Sequence, residues 1–198
     1  MKRRTLDIVF SVGGLVVAAL ILVLGLVLQN QANFADSYVK DQLTAQQITF
    51  TPADKLTDEE KANNCLIVYA GEQLVTGKQA ECYANSYIAL HLSEINDGKT
   101  YSQTSNESRA VAAEAKADPN NAELQTQAKT LDGKVQTLFR GETLRGLLLT
   151  SYGFSIFGER AAQAALVCFL VAGVLFLASI AGFIHAFTTS KDEKVLTA

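Results

Sequence analysis

The stretch IVFSVGGLVVAALILVLGLVL, residues 8–28, decides the fold because it holds about 21 consecutive residues without a charged side chain. An α-helix rises about 1.5 Å per residue, so a helix of this length crosses the ~30 Å hydrocarbon core of a bilayer. A second stretch, residues 161–187, is uncharged apart from His185 and fits the same thickness with some tilt. The sequence therefore predicts two transmembrane helices.

Positive charges next to these stretches indicate the orientation. Residues 2–4 are all basic and precede the first span, while Lys191 and Lys194 follow the second. Short segments rich in Lys and Arg stay in the cytoplasm. We therefore predict a cytoplasmic N-terminus at 1–7 and a cytoplasmic tail at 188–198.

The charge between the spans is consistent with a translocated domain. Residues 30–159 include 11 basic and 17 acidic side chains, a net charge of −6. This balance argues against a nucleic-acid partner, because phosphates require positive charge. We divide this part of the chain into an extracytoplasmic helical domain at 29–144 and an interfacial segment at 145–160.

A cleaved signal peptide is the alternative for the first apolar stretch. Signal peptides have apolar cores of roughly 7 to 15 residues followed by small residues at the cleavage site. Here the stretch is longer, and Gln29, Asn30 and Gln31 follow it directly. These features favour an uncleaved anchor.

The three cysteines suggest one disulfide bond. Cys65 and Cys82 fall in the predicted outer domain, and an even pair on an oxidising side favours a bond between them. Two separate buried thiols are the alternative. Cys168 lies within the second span, where it is most simply a small apolar residue.

Apolar spacing and capping residues predict a mostly α-helical outer domain. The first helix should continue past the membrane to about Gln46, since Phe34 and Tyr38 keep near-helical spacing. Residues 57–60, TDEE, match a capping box and predict a helix start. The short apolar run 66–69 is compatible with either a strand or a helical turn.

Two further helical regions complete this domain. Residues 79–95 carry a broad apolar face and predict the core helix. Residues 108–116 should form a helix that stops at the sequence DPNN, residues 118–121, and a new helix should begin near Asn121. Its apolar residues follow coiled-coil spacing, so we predict an antiparallel helix hairpin.

The segment 145–160 has the composition of an element that lies in the headgroup layer. It is too short to span, and aromatic residues at such a depth anchor to the interface while arginines contact phosphates. A groove for a lipid or quinone, formed with the spans, is the alternative. The predicted lipid contacts are Arg140, Arg145, Tyr152, Phe154 and Phe157.

Small residues in the spans predict helix packing. Gly14 and Ala18 lie four residues apart in the first span, and Ala178, Gly182 and Ala186 repeat this spacing in the second. Such residues let helix backbones approach closely in lipid. Ordinary membrane-helix composition is the competing interpretation.

The sequence offers little material for catalysis. It contains none of the common metal, phosphate-loop or nucleophile motifs, so we predict no catalytic residue, no metal and no cofactor. His91 and His185 are the only histidines. The first is expected to be a structural histidine of the domain, and the second to reach the cytoplasmic interface, with a proton or quinone contact as the alternative.

Three pieces of the chain, FTPADKLTDEE at 50–60, GKQAECYA at 77–84 and GETLRGLLL at 141–149, resemble a family of two-span membrane proteins from actinobacteria. The likeness covers nearly the whole chain. It implies origin and topology but no catalytic residue. Some members are labelled aromatic-ring-opening dioxygenases, whose iron site would need two histidines on one side of the membrane, whereas His91 and His185 are predicted on opposite sides.

These observations lead to one preferred function and two alternatives. We expect a non-enzymatic membrane protein, an accessory or scaffold subunit of a larger cell-envelope complex, that contacts membrane lipids and other subunits or copies of itself. A lipid- or quinone-handling protein that uses the interfacial segment is the first alternative. An envelope enzyme is the second; its carboxylates are plentiful but scattered, and the sequence does not show which of them would pair.

Overall fold

A computed structural model of the chain describes residues 2–190 and is 85% helical, with no strand in that range. Seven α-helices follow one another: α1 Arg3–Ala45, α2 Asp58–Lys61, α3 Asn64–Val68, α4 Gly77–Cys82, α5 Ala89–Ser93, α6 Tyr101–Ala117 and α7 Ala122–Thr188. A π-helix, Tyr83–Ile88, joins α4 to α5, and short 3₁₀ turns lie at Ala53–Lys55 and Ile95–Gly98. The mostly helical class predicted from the sequence is confirmed.

The chain divides into two compact units. One, the helix-pair unit, comprises the described parts of Met1–Asp36 and Phe157–Ala198, and the other, the central unit, comprises Ser37–Ile156. The helices α1 and α7 contribute to both units. They are also the two described helices that are long and apolar enough to cross a membrane.

The first helix ends close to the predicted position. It runs to Ala45, where Gln46 and the positive-φ residue Gln47 close it with 3₁₀-type hydrogen bonds. The chain then becomes extended, and Thr49 forms an isolated antiparallel bridge with Gln73. This bridge places Phe50 in the core of the central unit, where 2% of its surface remains exposed.

Capping boxes define the short helices of the central unit. The predicted box is confirmed: the Glu60 amide donates to the Thr57 hydroxyl, and the Thr57 amide donates to the Glu60 carboxylate. A similar box at Thr100 starts α6 at Tyr101, so the prediction that this helix begins at residue 108 was wrong. Residues 100–103, TYSQ, match the capping-box pattern, which admits glutamine as well as glutamate, so the local signal was present although apolar spacing did not show it.

The predicted core helix at residues 79–95 is one helical run with an irregular middle. It includes α4, the π-helix and α5, and it buries Ala84, Ile88 and Leu92 against Leu138 of α7. The sequence left the conformation of residues 66–69 open. Residues 66–68 are helical, since they belong to α3, which ends at Val68.

The helices α6 and α7 form the predicted antiparallel hairpin. Near the turn, the Gln125 side chain donates a hydrogen bond to the Ala115 carbonyl, 2.6 Å. Farther along, the ring centroids of Tyr101 and Phe139 lie 5.8 Å apart. From the first contact to the second, the position in α6 moves towards its N-terminus by as many residues as the position in α7 moves towards its C-terminus. This is the geometry of an antiparallel pair.

The segment 145–160 is not a separate element, because it lies inside the continuous helix α7. Its predicted position in the headgroup layer stays a prediction. The two prolines of the chain are Pro52 and Pro119, so no proline interrupts the helix after the hairpin turn. Leucines at 147–149 favour helix strongly enough to carry it past Gly146 and Gly153.

Candidate functional site

The helix-pair unit is held together by small residues at every seventh position. In α1 these are Ser11, Ala18, Gly25 and Ala32, and each is buried. In α7 the buried residues are Gly158, Ala165, Ala172, Ser179 and Ala186. A sustained seven-residue period keeps one face of each helix on its partner, and small side chains permit close approach in lipid. We call this contact the small-residue seam.

Two serine–glycine contacts form the seam near residue 11. A methyl group added at Gly182 would lie 2.3 Å from the Ser11 hydroxyl oxygen, and one added at Gly14 would lie 2.4 Å from the Ser179 hydroxyl oxygen. Each serine therefore occupies the space that a side chain on the facing glycine would need.

Four of the five packing residues predicted from the sequence lie in or beside this seam. Ala18 and Ala186 are buried, and Gly14 and Gly182 face serines. Ala178, in contrast, is exposed, because the seven-residue period places Ser179 in the contact instead. Ala178 therefore lies outside the contact between α1 and α7, and its packing against a partner stays a prediction.

An ionic contact joins α1 and α7 near the start of α1 and the end of α7. The Nδ1 atom of His185 lies 2.9 Å from a carboxylate oxygen of Asp7, and the Arg4 guanidinium lies 5.5 Å from the ring centroid of Phe187. His185 therefore pairs with the other helix, which sequence reasoning missed because Asp7 precedes the apolar stretch.

Two titratable side chains meet in the central unit. Glu60 is buried and lies in α2, and one of its oxygens lies 3.6 Å from Nε2 of the half-exposed His91 in α5. The Nδ1 atom of His91 lies 2.8 Å from the Tyr87 carbonyl. Since a carbonyl can only accept, Nδ1 carries the hydrogen.

Aromatic rings extend this cluster along the π-helix. The rings of Tyr83 and Tyr87 stack at 4.7 Å, and Tyr87 contacts His91 at 4.4 Å. Phe50 meets Tyr83 edge-on at 5.3 Å. Burial, followed by the neighbouring Tyr87 and Glu60, raises the pKa of Tyr83 to about 12. This hydroxyl therefore stays neutral at physiological pH.

A buried asparagine fixes the turn between α5 and α6. Asn96 has positive φ, and its amide donates to Thr104 and Glu107 while Lys134 of α7 donates to its oxygen. Hydrogen bonds from Lys99 and Asn96 lower the pKa of Glu107. The polar groups of this cluster satisfy one another, as a structural turn requires.

The two cysteines of the central unit lie at disulfide distance. The sulfur atoms of Cys65 and Cys82 are 2.04 Å apart, and their Cα atoms are 6.0 Å apart. The pair connects α3 to α4. Cys168 is a free thiol in α7.

The predicted lipid-contact residues differ in their exposure and in their partners. Arg145 pairs with Glu142 at 3.3 Å, and Tyr152 is partly buried. Arg140 is exposed. In the helix-pair unit, Phe157 is 74% exposed.

Phe154 lines a groove of about 370 Å³ in the central unit. Its floor consists of the buried residues Val39, Leu43 and Leu148, and the rings of Tyr38 and Phe154 meet at 5.8 Å. The described lining residues include no charged side chain. The groove can therefore accept an uncharged, mainly apolar group.

Neither sequence nor structural comparison supplies a relative. No protein family, curated protein or solved structure matches the chain. Within residues 2–190, no group of three or more His, Cys, Asp or Glu side chains could hold a metal ion.

Proposed function

We propose that this chain is a non-enzymatic integral membrane protein that serves as an accessory or scaffold subunit of a larger cell-envelope complex. In this proposal α1 and α7 cross the membrane, both termini lie in the cytoplasm, and the central unit lies outside. The three cations at residues 2–4 support the orientation, and the close approach of Cys65 and Cys82 is compatible with an oxidising side. The resemblance to two-span actinobacterial proteins agrees with the same topology.

Exposed apolar side chains on the central unit carry the proposal. Ile67 and Val68 are 47% and 59% exposed on α3, and Phe139 is 53% exposed on α7. Contiguous exposed apolar patches, rather than single exposed residues, are typical of contact sites for other proteins, and the adjacent pair Ile67 and Val68 is where we infer one. The neighbouring Cys65 holds α3 to α4, so Ile67 and Val68 sit on a constrained element.

The titratable side chains of the central unit support a structural role. Glu60 caps α2, His91 binds the Tyr87 carbonyl, and Glu107 binds Asn96 and Lys99. Glu60 and Glu107 stabilise a helix end and a turn, and the contact of His91 lies within its own helical run. The proposed partners are membrane lipids and other membrane-protein subunits or further copies of this chain, and the acidic outer segment argues against nucleic acid.

Isolation of the protein with its partners tests this function. Purification in mild detergent followed by mass spectrometry should recover co-migrating proteins or a homo-oligomer. The double substitution Ile67→Ser and Val68→Ser should release them, because it removes apolar area from the contact. Ala113→Ser, on the exposed face of α6, is the matched control. A chain that migrates alone before any substitution would contradict the proposal.

A second function, lipid or quinone handling, is favoured by the groove lined by Tyr38, Leu144 and Leu147. Its uncharged surface suits an acyl or prenyl chain. A photoreactive amino acid in place of Leu147 should then form a lipid or quinone adduct, whereas the same amino acid at Phe139, outside the groove, should not. Protein adducts at Leu147 would instead favour the scaffold function.

A further inference from the structure

A notch of about 240 Å³ lies between α1 and α7 in the helix-pair unit, and its walls come from residues 7–14 and 175–182. Phe10, which is 73% exposed, and the exposed Ala178 border its open side. These two residues belong to the outer surface of the helix pair, which faces lipid if α1 and α7 cross a membrane. A membrane component can therefore enter the notch from the side.

Two serine hydroxyls line the notch without a hydrogen-bond partner. Ser11 and Ser179 are each 4% exposed, and neither hydroxyl bonds to another group within residues 2–190. Elsewhere on α7, Thr150 and Ser151 donate to carbonyls one turn earlier, so a helix can satisfy such a group by itself. Buried hydroxyls are costly when they stay unsatisfied. This pair therefore indicates a bound group with hydrogen-bonding atoms.

A carboxylate lies one helical turn from Ser11, about 6 Å along α1. One oxygen of Asp7 lies 2.9 Å from Nδ1 of His185, and its other oxygen has no hydrogen-bond partner within residues 2–190. Arg4, one turn earlier, stacks on the ring of Phe187. The Asp7 side chain is 25% exposed, so a positively charged group in the notch can reach the free oxygen.

The groups that line the notch follow a fixed order along the helices. With the termini in the cytoplasm, Asp7 lies nearest the cytoplasmic end, the two serines lie roughly one to two turns deeper, and Leu175 lies a further turn towards the middle of the span. A phospholipid of the cytoplasmic leaflet presents its parts in the same order, from the headgroup substituent through the phosphate and esters to the acyl chain. The order of chemistry in the notch therefore matches that of a lipid.

We propose that the notch binds a phospholipid whose headgroup carries a primary amine. The ammonium donates hydrogen bonds to Asp7, the hydroxyls of the two serines donate to phosphate or ester oxygens, and the start of an acyl chain lies against Leu175. An ammonium beside a carboxylate at the membrane edge compensates its charge and forms charge-assisted hydrogen bonds. The site rests on the proposed position of α1 and α7 in the membrane, and it goes beyond the scaffold function.

Native mass spectrometry of the full-length protein in detergent tests the site with two lipids that have the same acyl chains. Phosphatidylethanolamine and phosphatidylcholine are both zwitterionic, so the basic residues 2–4 do not distinguish them. The first carries a primary ammonium, whereas the second carries a quaternary ammonium without an N–H donor. Phosphatidylethanolamine should therefore bind on the order of tenfold more tightly, the expected effect of hydrogen bonds to a charged group.

Substitutions at Asp7 and His185 separate the carboxylate from its ionic contact. Asp7→Asn keeps the size of the side chain and removes the charge, so the preference for phosphatidylethanolamine should vanish. His185→Gln removes the ionic contact and keeps the carboxylate, so the preference should remain. Asp132→Asn, the same chemical change at an exposed position of α7 in the central unit, is the matched control and should also retain the preference.

Two further variants test the rest of the notch. Ser11→Ala combined with Ser179→Ala should weaken binding of both lipids and leave the ratio of their affinities unchanged, since both lipids contain phosphate and ester oxygens. Ala178→Leu adds a bulky side chain at the open side and should also weaken binding of both. Because Ala178 lies outside the contact between α1 and α7, the melting temperature of this variant without added lipid should match that of the unmodified protein.

The outcomes separate the lipid site from the proposed function. Equal affinities of the unmodified protein for the two lipids, or a preference that Asp7→Asn retains, would overturn the site. Release of a co-migrating protein by Ala178→Leu, with lipid affinities unchanged, would assign the notch to a partner helix and overturn the lipid site as well. Co-migrating partners of a chain without lipid preference would leave the proposed scaffold standing, whereas a lipid preference in a chain that migrates alone would support the site and contradict the scaffold.

Discussion

Replacement of Gly158 by alanine should weaken the helix pair, because the facing atom cannot move away. An added methyl carbon would lie 2.8 Å from Cβ of Ala35 and 3.5 Å from the Ala32 carbonyl oxygen. Carbon atoms prefer separations of about 3.5–4.0 Å. Since Cβ of Ala35 is fixed to its backbone, α1 and α7 must separate locally by roughly 1 Å.

The expected magnitude follows from two opposing effects. Overpacking costs about 1–3 kcal/mol, whereas alanine favours helix over glycine by about 1 kcal/mol. Gly173→Ala, on the same helix, gains the same propensity but meets no atom within 4 Å. The difference between the two variants therefore isolates the packing cost of about 1–3 kcal/mol, or roughly 2–12 °C in melting temperature for a chain of this size.

Thermal unfolding in one detergent measures this difference, and a second substitution tests its cause. Ala35→Gly in the Gly158→Ala background should recover most of the loss, since it removes the clashing carbon. Gly182→Ala should cost less than Gly158→Ala, because the Ser11 hydroxyl that it meets can rotate. If Gly158→Ala melts as high as Gly173→Ala, the seam does not hold the helices together.

Three further predictions concern topology, the cysteine pair and the aromatic cluster. In intact cells, an impermeant thiol reagent should label Asn106→Cys and spare Lys2→Cys, and labelling at Lys2 would reverse the orientation. Nonreducing peptide mapping should recover Cys65 linked to Cys82, and free thiols at both positions would contradict this linkage. In the chain-entropy model, closing this loop should stabilise the fold by roughly 3 kcal/mol. Absorbance titration should show one tyrosine that ionises near pH 12, and this ionisation should be missing in Tyr83→Phe. Because the pKa of Tyr83 is higher in the folded protein than in the unfolded chain, the free energy of unfolding should fall as pH rises above about 10.

Strong local signals in the sequence were enough to predict the main helices. The charge-free stretch 8–28 and the spacing beyond it located α1 to within one residue of its end at Ala45. The box at Thr57 and the turn at 118–121 marked helix boundaries correctly. These features act through neighbouring residues, so no knowledge of the fold was needed.

Features that depend on distant contacts were missed. The π-helix at Tyr83–Ile88 has no local signature, because its extra residue is accommodated by the packing of Ile88 and the tyrosine rings. The proximity of Asp7 to His185 and of Glu60 to His91 likewise depends on which helices meet. The sequence analysis named His91 and His185 but could not supply the carboxylate that each of them meets.

The small-residue seam has a consequence for where a partner can bind. Lipid tails are as apolar as leucine, so helices associate in a membrane through close packing of small residues. In α1 and α7 the buried small residues already face each other at every seventh position. The outward surfaces present large apolar side chains, including Val23, Leu170 and Leu177.

A partner helix would therefore meet mostly bulky outer surfaces on α1 and α7, with exposed small residues such as Gly13, Gly173 and Ala178 as local exceptions. The central unit offers a different kind of surface, since Ile67 and Val68 are exposed on an element that a cysteine pair and a capping box hold in place. If the chain is a subunit of a larger complex, specific recognition should come from the central unit, and α1 and α7 should act mainly as its membrane anchor.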